Sequence, residues 1–194
     1  MPAARQPDLK PGRVYRTREL ARWSANPTRF AQRLVRDGVL QLLAPGLYVH
    51  PKKSRFGEVP PTTEELLRGF LEGSPYVITG PERWNALGLG TTAVLPVTLV
   101  YNMKRSGEID LGHRRFLFRR VAFPQRPTAE WFAIDLLEHA DMAGASRADL
   151  EAALARRLAS HDLDREALHV AASRYGIRAT LQLVERTLAK TQGS

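Results

Sequence analysis

The sequence predicts an α+β protein in three parts: an N-terminal winged helix-turn-helix, a small mixed α/β body and a C-terminal helical segment. Three observations carry this. A sharply punctuated amphipathic helix between Asn26 and Gly38 is followed by a hairpin pattern up to His50. Between residues 76 and 121, β-prone runs alternate with one short helix, and from Thr128 onward Leu, Ala and Val recur at helical spacing. The composition shift places a domain boundary between residues 56 and 57, giving a first domain of 1–56 and a second of 57–194.

Charge is distributed unevenly between those parts. Of 29 Lys/Arg and 20 Asp/Glu, the stretch up to Phe56 holds 12 basic residues against 3 acidic ones, and the remainder holds 17 of each. The whole net charge of +9 therefore sits in the first third. Localised positive charge is the footprint of a module that neutralises phosphates, whereas a balanced remainder reads as an ordinary folded body. A membrane-surface protein would need a long basic amphipathic helix, which Pro2, Pro7, Pro11 and Pro27 argue against. No apolar run approaches the roughly 18 to 20 residues of a membrane span, and the opening residues lack the apolar stretch of a signal peptide, so no membrane partner and a cytoplasmic location are expected. With no cysteine, disulfides, thiolate metal sites and thiol nucleophiles are excluded.

The elements follow in order. Arg16 to Trp23 reads as a short helix with Thr17 as its cap and Leu20, Ala21 and Trp23 as core, and Ser24-Ala25 as the turn after it. The next helix has Asn26 as N-cap, Pro27 at the first position, where its missing N–H costs nothing, and Gly38 as its stop. Wound at about 100° per residue, it collects Phe30, Ala31, Leu34 and Val35 on one face and Arg29, Gln32, Arg33 and Arg36 on the other. Taken alone, that polar face is equally an ordinary solvated one. Val39–Leu43, the turn Ala44-Pro45-Gly46 and Leu47–His50 then form a hairpin, followed directly by Lys52, Lys53 and Arg55.

Helix, turn, longer helix and hairpin is the order of a winged helix, in which the second helix enters the major groove and the wing lies near the backbone. The leading helix of that fold is missing, since residues 1–12 hold three prolines and little amphipathic pattern. Another element is therefore expected to cover the apolar side it would have covered.

Beyond a linker at 57–61, Thr62–Leu71 reads as a helix capped by Thr62 or Thr63, Tyr76–Thr79 as a buried strand, Pro81–Leu87 as a helix stopped by Gly88, Val94–Tyr101 as a strand and Ile109–Val121 as one or two strands. Trp84 and Leu87 read as core, with a partner-facing surface as the alternative. Lys104, Arg105, Arg114, Arg115, Arg119 and Arg120 read as a sheet face in solvent or as a second phosphate-contacting strip, partly offset by Glu108 and Asp110. Four helices close the chain, at Thr128–His139, Ser146–Ser160, Asp164–Tyr175 and Arg178–Lys190.

No enzyme is expected. There is no Gly-x-Ser-x-Gly elbow, no glycine-rich phosphate loop and no carboxylate set tight enough for Mg²⁺. Asp135 and His139 share a helix face at i, i+4, with Glu138 at i, i+3 from Asp135, but nothing completes a metal site and a surface pair is the favoured reading. No cofactor and no metal are expected.

The stretches Gly46-Leu47-Tyr48-Val49, Pro75 to Gly80 (Pro-Tyr-Val-Ile-Thr-Gly), Trp84-Asn85-Ala86-Leu87-Gly88-Leu89 with Thr91-Thr92, and Val100-Tyr101-Asn102, with the basic strand ending near Arg120, resemble in order and spacing the AbiEi-type antitoxins of bacterial type IV toxin–antitoxin systems. The likeness covers roughly residues 12–123. It implies an N-terminal domain that binds operator DNA and represses the operon of antitoxin and toxin, and a second domain that counteracts a nucleotidyltransferase-like toxin, by contact or indirectly, with monomers or a homodimer on the DNA. Thr28, Arg29, Gln32, Arg33 and Arg36 fall at the recognition-helix positions, and Lys52, Lys53 and Arg55 near the phosphates. Thr17, Arg18 and Asn26 complete the expected DNA-binding set. A regulator without a toxin, or a protein-interaction module, remains the alternative.

Overall fold

The computed structural model describes residues 7–191, and its first strand is one that the residue pattern does not announce. β1 (Val14–Arg16) is only three residues long, too short to show alternation. It leads into a 3-10 helix, Thr17–Arg22, and then α1 (Pro27–Arg36). β2 (Gln41–Ala44) and β3 (Leu47–Val49) form the expected hairpin around Pro45-Gly46, with Gly46 at a φ of +75° that its missing Cβ permits. β3 is buried throughout and pairs antiparallel with both neighbours in the order β1-β3-β2, placing Val14 opposite Val49 and Tyr15 opposite Tyr48.

This sheet corrects the expected cap. β1 pairing continues to Arg16, so the N-cap position falls on Arg16, whose N–H donates to the Glu19 carboxylate at 2.8 Å. Thr17 is the first residue of the turn, and its N–H donates to Gly46 O at 3.0 Å. Leu20 is fully buried, whereas Ala21 is exposed rather than core.

The linker expected from Gly57 is instead a strand. β4 (Lys52–Ser54) and β5 (Gly57–Val59) make a second hairpin, registered Lys52 to Val59, Lys53 to Glu58 and Ser54 to Gly57. All six paired residues are exposed, so burial left no apolar pattern to read. α2 (Thr63–Phe70) follows with a reciprocal cap: the Thr62 hydroxyl accepts from Glu65 N–H at 3.2 Å, and the Glu65 carboxylate accepts from Thr62 N–H at 2.7 Å.

α2 packs on β1. Gly69 lies against Val14 so closely that a Cβ there would sit 2.4 Å from Val14 Cγ1. The Arg16 guanidinium donates to the carbonyls of Gly69 and Phe70 and pairs with Glu72 at 3.1 Å. β1 is thus covered by a helix that follows the hairpins in sequence.

Next come β6 (Tyr76–Thr79), α3 (Pro81–Ala86) and β7 (Thr98–Asn102), with β6 and β7 antiparallel. The strand expected from Val94 starts four residues late. Val94 is 87% exposed, Pro96 lacks a ladder N–H, and the Asn85 side chain holds the loop by accepting from Thr91 Oγ1 at 3.0 Å and Ala93 N–H at 3.1 Å. β8 (Gly107–Leu111) and β9 (Arg114–Arg120) turn at Gly112-His113 and complete a sheet of order β6-β7-β9-β8. α4 (Ala129–Glu138), α5 (Arg147–Ala159), α6 (Arg165–Tyr175) and α7 (Arg178–Lys190) form the C-terminal helical segment. Thr128, Ser146 and Asp164 cap the first three of these through their side chains.

The protein is therefore mixed α+β and divides into two compact units, Met1–Pro75 with Glu108–Phe116, and Tyr76–Gly107 with Leu117–Ser194. The first includes α2, so it extends past the 56/57 boundary inferred from composition. The β8–β9 turn belongs to it: Gly112 N–H donates to Leu43 O at 2.8 Å, and Arg114 donates to Thr63 Oγ1 at 2.8 Å. One core of this unit joins Leu9, Tyr15, Leu20, Phe30, Ala31, Leu34, Leu40 and Tyr48. The core of the second unit joins Trp84, Leu99, Trp131, Ile134, Leu154, Leu168, Leu183 and Val184, among others. Among the described residues, no helix is long and apolar enough to cross a membrane.

Candidate nucleic-acid interface

The sequence positions α1 at both ends. Asn26 Oδ1 accepts from Arg29 N–H at 3.0 Å, Pro27 takes the first helical position, and Gly38 adopts a φ of +70° just past the last turn. Phe30, Ala31 and Leu34 are buried, docking one face against the core. Burial of a Phe or Leu side chain contributes about 1.5 to 3 kcal/mol, so this docking fixes the helix rotation. The opposite face presents Thr28, Arg29, Gln32, Arg33 and Arg36, all exposed. Arg33 lies over the Phe30 ring, 5.1 Å from its centroid, which orients one guanidinium along the helix. Among the described residues, no carboxylate lies within ion-pair distance of Arg29, Arg33 or Arg36. Three guanidiniums and an amide on a rigid helix can donate to phosphate oxygens or to base edges.

The other expected residues divide. Asn26 is engaged as the cap. The half-buried Thr17 donates its hydroxyl to Gly46 O at 3.4 Å, so its side chain ties the 3-10 helix to the hairpin turn. Arg18 pairs with Glu72 at 2.6 Å, which offsets its charge. Lys52 and Lys53 stand on β4, and Arg55 lies in the turn of the second hairpin, stacked over Phe56 at 4.6 Å. Phe56 itself, 86% exposed, is a residue that the sequence pattern passed over. Its only signal was an aromatic residue directly before Gly57, at the end of the first domain as read from composition.

In the second unit the expected surface pair is drawn inward, with Asp135 buried and His139 half-buried. Asp135 is 5% exposed, and its carboxylate accepts from three side-chain donors. Trp84 Nε1 donates to Oδ2 at 2.8 Å and the Thr79 hydroxyl donates to the same oxygen. Tyr101 OH donates to Oδ1 at 2.5 Å, and His139 Nδ1 stands 3.4 Å from that oxygen. Burial, reinforced by the Asp135 charge and hydrogen bond, pushes the Tyr101 phenol far above its ordinary value. Trp84 is fully buried, which settles its reading as core and not as a partner-facing residue. The cluster borders a cavity of about 290 Å³ that Trp131, Glu138 and Tyr175 also line. The i, i+4 spacing was legible; the three donors converging from β6, α3 and β7 were not. Among the described residues no group of three metal-ligating side chains occurs. On the β8–β9 hairpin Arg115 pairs with Glu108 at 3.2 Å and with Asp110 at 3.6 Å, as an exposed face offset by its own carboxylates.

Residues 22–130 match DUF6088, a family of unknown function, over more than half of the chain. The chain belongs to DUF6088. No curated protein is significantly similar to it. The DUF6088 region contains α1, both hairpins, α2 and the Thr79, Trp84 and Tyr101 donors, and it ends in the first turn of α4. Thr17, Arg18, Asp135 and His139 lie outside the DUF6088 match.

Proposed function

We propose that the chain is a double-stranded DNA-binding transcriptional repressor whose first unit works as a winged helix-turn-helix. The observation that carries this is the α1 face: Arg29, Gln32, Arg33 and Arg36 exposed on a capped, core-docked helix. The 3-10 helix and α1 supply the helix-turn-helix, β2–β3 supplies the wing, and α2 on β1 takes the place of the missing leading helix. Segregation of the net charge to the same part of the chain supports the reading. An arginine that reaches a guanine edge contributes about 1 to 3 kcal/mol of discrimination. The test is selection of a binding site from a random duplex pool, repeated with Arg29→Ala plus Arg33→Ala. Unchanged affinity and unchanged sequence preference would overturn the assignment.

Within this reading, the chain is also the antitoxin of a pair whose toxin is nucleotidyltransferase-like, and it represses their shared operon. The order of motifs between Gly46 and Arg120 supports this extension. Co-expression with the product of the adjacent gene tests it, scoring growth rescue and co-purification separately: rescue alone indicates indirect antagonism, and the absence of both overturns the antitoxin role.

Leu42, 58% exposed on β2, favours a second reading in which the first unit docks a protein partner. Duplex binding that weakens steeply with added salt, as counterion release requires, favours DNA over that alternative.

A further inference from the structure

We propose, resting on the DNA-binding reading, that the β4–β5 hairpin is a bending arm that inserts Phe56 between base pairs of the duplex. The hairpin has no core of its own, since residues 52–59 are all exposed. An isolated two-stranded hairpin without an apolar face is marginal in water. This one is nevertheless held in shape by its polar side chains. Ser54 Oγ donates to Gly57 O at 3.0 Å and accepts from Phe56 N–H at 3.2 Å, and Gln41 Nε2 on β2 donates to the Glu58 carboxylate. These bonds fix the turn, and the residue that the turn presents is an 86% exposed aromatic ring.

The surroundings of that ring select the partner. Among the described residues, Lys52, Lys53 and Arg55 have no carboxylate within ion-pair distance. The acidic side chain of the hairpin, Glu58, is turned to Gln41. Arg55 stacks on the Phe56 ring at 4.6 Å, a contact it can exchange for a phosphate when the ring is buried. An apolar wedge flanked by cations on a slender two-stranded arm is the chemistry by which minor-groove binders unstack a base step and kink the duplex. A membrane would call for several apolar residues on one face, and the hairpin offers Phe56 with Val59 at its far end.

The experiment uses the full chain and a mixed-sequence duplex of about 30 base pairs carrying a donor and an acceptor dye at its ends. Wild type at saturation is expected to raise energy transfer between the ends. Phe56→Ala is expected to lose most of that rise while binding roughly three- to tenfold more weakly, and Phe56→Trp to retain it. Lys52→Ala plus Lys53→Ala is expected to lower the slope of log affinity against log salt by about 2. Because Phe56 is exposed, its replacement leaves the fold intact. Wild-type binding without a bend, or an equal bend with Phe56→Ala, overturns the arm while leaving DNA binding by α1 standing. No duplex binding by wild type overturns both. Loss of binding to anionic vesicles by Phe56→Ala, with duplex binding unchanged, assigns the hairpin to a lipid surface and overturns the proposal.

Discussion

Trp84 on α3 donates its indole N–H to the Asp135 carboxylate on α4 at 2.8 Å, with both residues buried. Thr79 and Tyr101 converge on the same carboxylate, so two strands and two helices of the second unit share one acceptor. Asp135→Ala leaves the buried donors without it, and breaking such a buried charged network costs about 3 to 5 kcal/mol. Urea unfolding followed by tryptophan fluorescence measures the loss. A change under 1 kcal/mol would show that the network contributes little.

Tyr101 gives a pH dependence. Its folded value is raised by burial and by Asp135, so the stabilisation is present in full below the unfolded value of 10.0. Above that pH the unfolded chain releases the phenolic proton and the folded chain keeps it, so stability falls as pH rises, by up to about 1.4 kcal/mol per pH unit. Tyr101→Phe removes this component. Stability curves of the two proteins between pH 9 and 11 are expected to diverge in slope above pH 10.

The approach of Gly69 to Val14 sets a steric limit. A Cβ on Gly69 would stand 2.4 Å from Val14 Cγ1 and 2.6 Å from Val14 Cβ, and a β-branched side chain on a paired strand cannot swing aside. Gly69→Ala is therefore expected to destabilise the first unit by about 1 to 3 kcal/mol. Adding Val14→Gly removes both clashing atoms, and a double-mutant cycle should return a coupling of about 1 kcal/mol or more.

Asn26 separates capping from recognition. Asn26→Ala removes the acceptor for Arg29 N–H and is expected to cost about 1 kcal/mol, with faster amide exchange in the first turn of α1. Asn26→Ser supplies an acceptor of similar reach, and is expected to restore both the protection and any duplex affinity lost by Asn26→Ala. Restored protection without restored affinity would give the amide a role of its own on DNA.

Local chemistry made much of this fold legible. Asn26, Pro27 and Gly38 bracket α1 through interactions within four residues of one another, and Thr128, Ser146 and Asp164 mark helix starts in the same way. What escaped depends on partners distant in sequence. Val14–Arg16 is a strand because β3 lies beside it, and Lys52–Val59 forms a hairpin without any apolar alternation. The α1 face was readable from its period, but the engagement of Arg18 by Glu72 was not, since the partner lies 54 residues on. Asp135 shows the same limit: its spacing to His139 suggested a surface pair, while its donors arrive from residues 79, 84 and 101.

The unit that carries α1 is discontinuous, since Glu108–Phe116 belongs to it as well as the residues up to Pro75. On the ribosome, then, its last wall is translated after 32 residues of the other unit have been made. At about 5 to 20 residues per second, this delays completion by some seconds relative to a contiguous domain. During that interval Leu43 O lacks the Gly112 N–H that it will bind, and Thr63 lacks Arg114. A chain interrupted before Gly112 carries the arginines of α1 on a scaffold that still lacks both of these bonds.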